Sequence, residues 1–125
     1  MSWATYKAEI TGALTGYTEL PQNSTPEEAT KGQTHKYFSL KAFGSENFDY
    51  TSSVQIGSYL VELQIIYAGL NNSDTTSNFD LFDGVCDSVK TLSNFKGWTD
   101  NPSFEEIDKK HSKGVCRFYY GIRVL

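Results

Sequence analysis

SYLVELQIIY, residues 58–67, is the stretch on which the architecture turns. Tyr59, Val61, Leu63, Ile65 and Tyr67 fall on one side of an extended backbone, and Leu60, Glu62, Gln64 and Ile66 on the other. A period of two, filled with β-branched and aromatic residues, predicts a strand. Ten residues at about 3.3 Å each span about 33 Å, long for a small domain. Both faces are fairly apolar, so the strand is central in its sheet or turns its second face to another subunit.

Upstream, THKYFSLKAF (34–43) alternates in the same way. Phe38, Leu40 and Ala42 share one side; Tyr37, Ser39, Lys41 and Phe43 share the other. Between the two strands lies FGSENFDYTSSVQIGS (43–58), polar overall but carrying Phe43, Phe48, Tyr50, Val54 and Ile56. It is too long for a tight turn, and is either a long loop or a continuation of both strands into an extended hairpin turning near residues 51–53. Downstream, residues 68–76 are a polar turn region. Phe79, Phe82, Val85, Cys86, Val89 and Leu92 then recur at helical spacing and predict a helix over 77–93, with Asp80, Asp83 and Asp87 on its other side.

Phe95 and Trp98 read as part of a loop ending at Asn101-Pro102, Phe104–Lys109 as a short strand, and residues 114–125 as the closing strand. In that strand Cys116, Phe118, Tyr120, Ile122 and Val124 share one face; Arg117, Tyr119 and Arg123 share the other. At the start, Trp3, Tyr6, Ile10, Ala13, Leu14 and Tyr17 predict an amphipathic helix over 3–17 behind a Ser2 cap. Thr25-Pro26-Glu27-Glu28 carries the start signal of a short second helix that Gly32 stops. The expected fold is therefore α+β: one two-layer domain over 1–125, with an antiparallel sheet of about four strands and two main helices on one face.

Composition narrows the function. The chain has 125 residues, 38% apolar and 21% charged, with net charge −4 and scattered basic residues. Tight binding to a nucleic-acid backbone needs clustered Lys and Arg, so it is disfavoured. The apolar run at 60–67 is broken by Glu62 and Gln64, and a membrane span needs about 20 apolar residues. MSWATYKAEITG has neither a basic leader nor an apolar signal core, which suggests a protein made and kept in cytoplasm. The glycosylation-like triplets at Asn23 and Asn71 then read as chance. Cys86 and Cys116 each sit in an apolar pattern and read as buried thiols rather than a disulfide.

Catalytic signatures are sparse. His35 and His111 have no partners at metal-ligand spacing, and no phosphate loop or nucleophile elbow occurs. Asp80, Asp83 and Asp87 can share a helical face; that is a solvated acidic surface or a cation or partner contact. Hence neither catalysis nor a cofactor is expected.

The element order resembles that of the tail terminator (tail completion) proteins of long-tailed bacteriophages and their relatives at the head–tail junction. KYFSLKAF, the long 43–58 connection, GSYLVELQIIYAG, FDLFDGVCDSVKTL and GVCRFYYGIRVL carry the likeness, which covers essentially the whole chain. The resemblance implies a ring, usually a hexamer, that caps the head-proximal end of the tail tube. Such a ring stops tube polymerisation and presents a surface to the head connector while DNA passes through its lumen. The protein would then reside in the virion after assembly in the host cytoplasm. On that expectation the 43–58 arm, with Phe43, Phe48, Tyr50, Val54 and Ile56, packs on a neighbouring subunit. A second contact is expected on the outer sheet face at Leu60, Ile66, Arg117, Tyr119 and Arg123. Two alternatives remain: a stopper ring on the head side, and a ligand-binding module with a pocket of Tyr59, Val61, Tyr119 and Tyr120.

Overall fold

Alternating apolar residues drive the two middle strands into one long hairpin, and everything else is arranged around it. The computed structural model describes residues 2–20, 35–50, 55–69 and 75–124. In chain order the elements are α1 (Trp3–Gly12), β1 (Thr18–Glu19), β2 (His35–Tyr50), β3 (Gln55–Ala68), α2 (Thr75–Lys90), β4 (Phe95–Trp98), β5 (Ser103–Asp108) and β6 (His111–Val124). The predicted helix at 25–32 lies outside the described residues.

The strands form one six-stranded sheet in the order β1-β2-β3-β6-β4, with β5 also pairing to β6. The sheet is mixed, because β1 runs parallel to β2 while the other pairs are antiparallel. Of the two readings of 43–58, the extended hairpin is the one found among the described residues, since β2–β3 pairing continues to Tyr50↔Gln55. Three expectations are corrected. The sheet has six strands among the described residues rather than about four, and it is not purely antiparallel. Phe95–Trp98, expected in a loop, is a strand, because pairing with Tyr120 and Phe118 brings both rings onto Phe118, at 5.7 and 5.8 Å.

The helical layer covers one face. Tyr6, Ile10 and Leu14 from the α1 region and Phe82, Val85, Cys86 and Val89 from α2 join Phe38, Leu40, Val61, Leu63, Ile65, Tyr67, Cys116, Phe118 and Tyr120 in one core. Val61, Leu63 and Ile65 are fully buried, and each such side chain stabilises the fold by roughly 1.5–3 kcal/mol. α1 is shorter than expected, ending at Gly12 rather than near 17. A ten-residue helix with a glycine is marginal alone, so this packing holds it. Likewise α2 is shifted toward the N-terminus, Thr75–Lys90 instead of 77–93.

Two glycines in β6 let the helices close in. A Cβ on Gly114 would enter the ring of Phe82, and one on Gly121 would enter the ring of Tyr6. Gly121 also has φ +71°. It lies in a bulge, with Gly57↔Arg123 and Tyr59↔Tyr120 as the flanking pairs. Two β6 residues there oppose the single residue Ser58, which inverts the facing of everything after Gly121.

Candidate functional site: the outer sheet face

Even-numbered residues of β3 point away from the helices, and the register decides what they meet. Glu62 is opposite Lys41 on β2 and Arg117 on β6, so three charged residues lie in one row across three strands. Leu60 forms the next row with Gly44 and Tyr119, and Phe43 sits at the irregularity between Ala42 and Gly44. Lys41, Phe43, Leu60, Glu62, Thr99, Arg117 and Tyr119 line an open groove of about 360 Å³.

Glu62 anchors this groove. Its residue is 8% exposed, and a buried carboxylate is tolerated only when it is paired. Arg117 Nε donates to Oε2 at 2.8 Å, and Gln64 Nε2 donates to Oε1 at 2.8 Å. Burial disfavours its charge, but those two hydrogen bonds and the charges of Arg117 and Lys41 outweigh burial and hold the carboxyl below its ordinary pKa. The same hydrogen bond raises the pKa of Arg117, whose Nη1 also lies 3.8 Å from Asp100 Oδ2. Thr99 N–H donates to the Arg117 carbonyl at 2.9 Å, tying the Thr99–Asp100 corner to β6. Lys41 Nζ sits 5.9 Å from the centre of the Phe43 ring, which is 49% exposed.

The expected interface residues divide. Leu60, Arg117 and Tyr119 do lie together on the outer face, and Phe43 joins them from β2 rather than from a projecting loop. Half-buried Ile56 lies on the same face of β3, two alternations from Leu60, paired with Asp49 and Val124. Phe48 and Tyr50 belong to β2 by backbone, and Val54 lies outside the described residues.

Ile66 is on the outer face, yet it is 2% exposed, covered with Tyr37 and Ala68 by Leu20 and Ile107. It is therefore no open surface in this chain. Arg123 is displaced from the outer face. The bulge at Gly121 turns it toward the helices, 5.7 Å from the Tyr59 ring, beside a second cavity of about 490 Å³ lined by Tyr6, Tyr59, Ile122, Arg123 and Val124. The alternative pocket of Tyr59, Val61, Tyr119 and Tyr120 does not form. Tyr59, Val61 and Tyr120 pack in the core on the helix side, while Tyr119 faces the groove.

Sequence reasoning saw Glu62 as an interruption of an apolar run and missed its role. Its signal is a lone acid on an apolar strand with a Lys and an Arg on the neighbouring strands, which becomes readable once the register is known. His111 Nδ1 lies 2.9 Å from both Asp108 carboxylate oxygens at the β5–β6 turn, a local contact that fixes the turn. Among the described residues no group of three or more His, Cys, Asp or Glu could hold a metal ion, and no helix is long and apolar enough to cross a membrane. Asp80, Asp83 and Asp87 are exposed on α2. Compared with protein-family models and with curated proteins, the chain finds no match in either.

Proposed function

We propose that this protein is a structural subunit of a long-tailed phage virion. It forms a ring, expected to be a hexamer, at the head-proximal end of the tail tube, where it ends tube polymerisation and joins the tail to the head connector. The observation that supports this most is the groove on the sheet face opposite α1 and α2, beside the long β2–β3 hairpin. Phe43, Leu60 and Tyr119 gather there around a charged row. A contiguous apolar patch rimmed by charge marks a contact surface. The order of elements supports the same reading through its likeness to tail terminators. A net charge of −4 suits a lumen through which DNA passes without sticking.

The test is to add purified protein to tail tubes lacking their terminator and image them by negative stain. Tubes capped at one end and fixed in length are the expected outcome. Tubes that continue to grow uncapped refute the proposal. Gold labelling in intact virions separates this position from a stopper ring on the head side, where label would appear between the connector and the terminator.

A further inference from the structure

Two surfaces on opposite layers of this domain carry matching patterns. The outer face presents the row Lys41–Glu62–Arg117, in which the two cations stand two strands apart, about 10 Å at about 4.8 Å per strand. Glu62 in the middle is buried and bonded to Arg117 and Gln64, and Asp100 lies 3.8 Å from Arg117 Nη1. The exposed Lys41 is therefore the main positive charge of the row, and Arg117, partly exposed, adds a shared one. The apolar row of Phe43, Leu60 and Tyr119 runs alongside.

On the helical layer, α2 carries three aspartates against one lysine, Asp80, Asp83, Asp87 and Lys90. Asp80 and Asp87 are seven residues apart. They therefore share one line along the helix, about 10 Å from each other at 1.5 Å per residue. Gly84 lies between them with open space around it. Leu81, one position on from Asp80, is 39% exposed although it is apolar.

We propose that the groove seats α2 of a second copy of this chain. In that contact Asp80 and Asp87 lie over Lys41 and Arg117, and Leu81 enters the trough of Phe43, Leu60 and Tyr119. Because the groove and α2 lie on opposite layers, no copy fills its own groove and the contact is head-to-tail. Such contacts propagate until the rotation closes a ring. This inference rests on the ring-forming reading above and names the surfaces that reading leaves open. The Asp87–Lys90 pair, at 3.7 Å and largely exposed, is weak enough to exchange partners.

The test uses full-length protein carrying Phe43→Asp or Leu81→Asp. Both positions are exposed, and Lys41 and Arg117 are left in place because the Glu62 carboxylate depends on both. Assembly on tail tubes and in free solution is followed by mass photometry, with thermal melts as the control. Each variant is expected to melt with the wild type and to need roughly tenfold or more higher concentration to assemble. Mixed one to one, the two variants are expected to give dimers that do not extend, since each keeps one intact surface.

Wild type that assembles alongside variants that assemble equally well overturns this inference and leaves the ring reading standing. Wild type that stays monomeric even on tail tubes overturns both. A variant that melts well below the wild type overturns the inference too, because that surface would then belong to the chain's own fold.

Discussion

Replacing Gly114 by alanine tests whether α2 is pressed onto β6 as tightly as the packing implies. Gly114 is buried and is held from both sides, opposite Ile65 on β3 and Phe104 on β5. It is not among the glycines with positive φ, which are Gly16, Gly69, Gly97 and Gly121. Alanine therefore meets no backbone strain there, and the whole effect comes from the new methyl entering the Phe82 ring. That ring is 2% exposed and stacks on Phe104 at 5.7 Å, so it has little room to retreat. Overpacking of this kind costs about 1–3 kcal/mol, while alanine regains about 0.4–1 kcal/mol by stiffening the unfolded chain. The net loss is about 1–2 kcal/mol, a fall in Tm of roughly 4–8 °C for a chain this long.

Urea titration followed by tryptophan fluorescence measures it. Phe82→Leu alone should cost about 1–2 kcal/mol as a cavity. The double variant should be more stable than the sum of the two losses by about 1 kcal/mol, because the smaller side chain admits the methyl. Gly114→Ala within about 0.5 kcal/mol of wild type, or strict additivity in the cycle, would refute the close approach.

Arg117→Ala should lower the urea midpoint at pH 7, since Glu62 then keeps only Gln64 and the nearby Lys41 as partners. The folded pKa of Glu62 is depressed, so its contribution is present above the ordinary carboxylate range and is lost as pH falls through the folded value. Denaturation curves should accordingly show the gap between wild type and variant closing below about pH 4. At the alkaline end the sign reverses. Burial first, and then their mutual hydrogen bond at 3.0 Å in the case of Tyr67, set the phenols of Tyr17 and Tyr67, and both end above their usual pKa. Their stabilisation is therefore intact below about pH 10 and is lost above it. Absorbance at 295 nm should show these phenols ionising only together with unfolding. Finally, Phe48→Asp with Ile56→Asp is expected to leave a folded monomer that no longer forms rings by light scattering. Loss of the folded state in that variant would place the hairpin arm in the domain's own core.

The strands and helices that bury one whole face could be read from the chain alone. Alternation at 58–67 and 114–120 names Val61, Leu63, Ile65, Cys116, Phe118 and Tyr120 as core, and all six are buried. The stripe Phe82, Val85, Cys86, Val89 likewise names the buried side of α2. These patterns are local, since side-chain direction along one element follows from its period. Edges and short pieces were less legible. Thr18–Glu19 and Phe95–Trp98 are too short to show a period, and they became strands because β2 and β6 offered them unpaired backbone.

Which outward residues meet was decided by tertiary structure alone. The charged row Lys41–Glu62–Arg117 exists because of a register among strands 21 and 55 residues apart in sequence, and a slip of one residue would turn each side chain to the opposite face. The bulge at Gly121 did the same for Arg123, carrying it away from Arg117 although the simple alternation groups them. Ile66 shows the remaining case. Its outward direction was readable, but its burial came from Leu20 and Ile107, supplied by distant parts of the chain. Periodicity determines the face on which a side chain stands; only pairing and packing between remote segments determine whether that face is open to a partner.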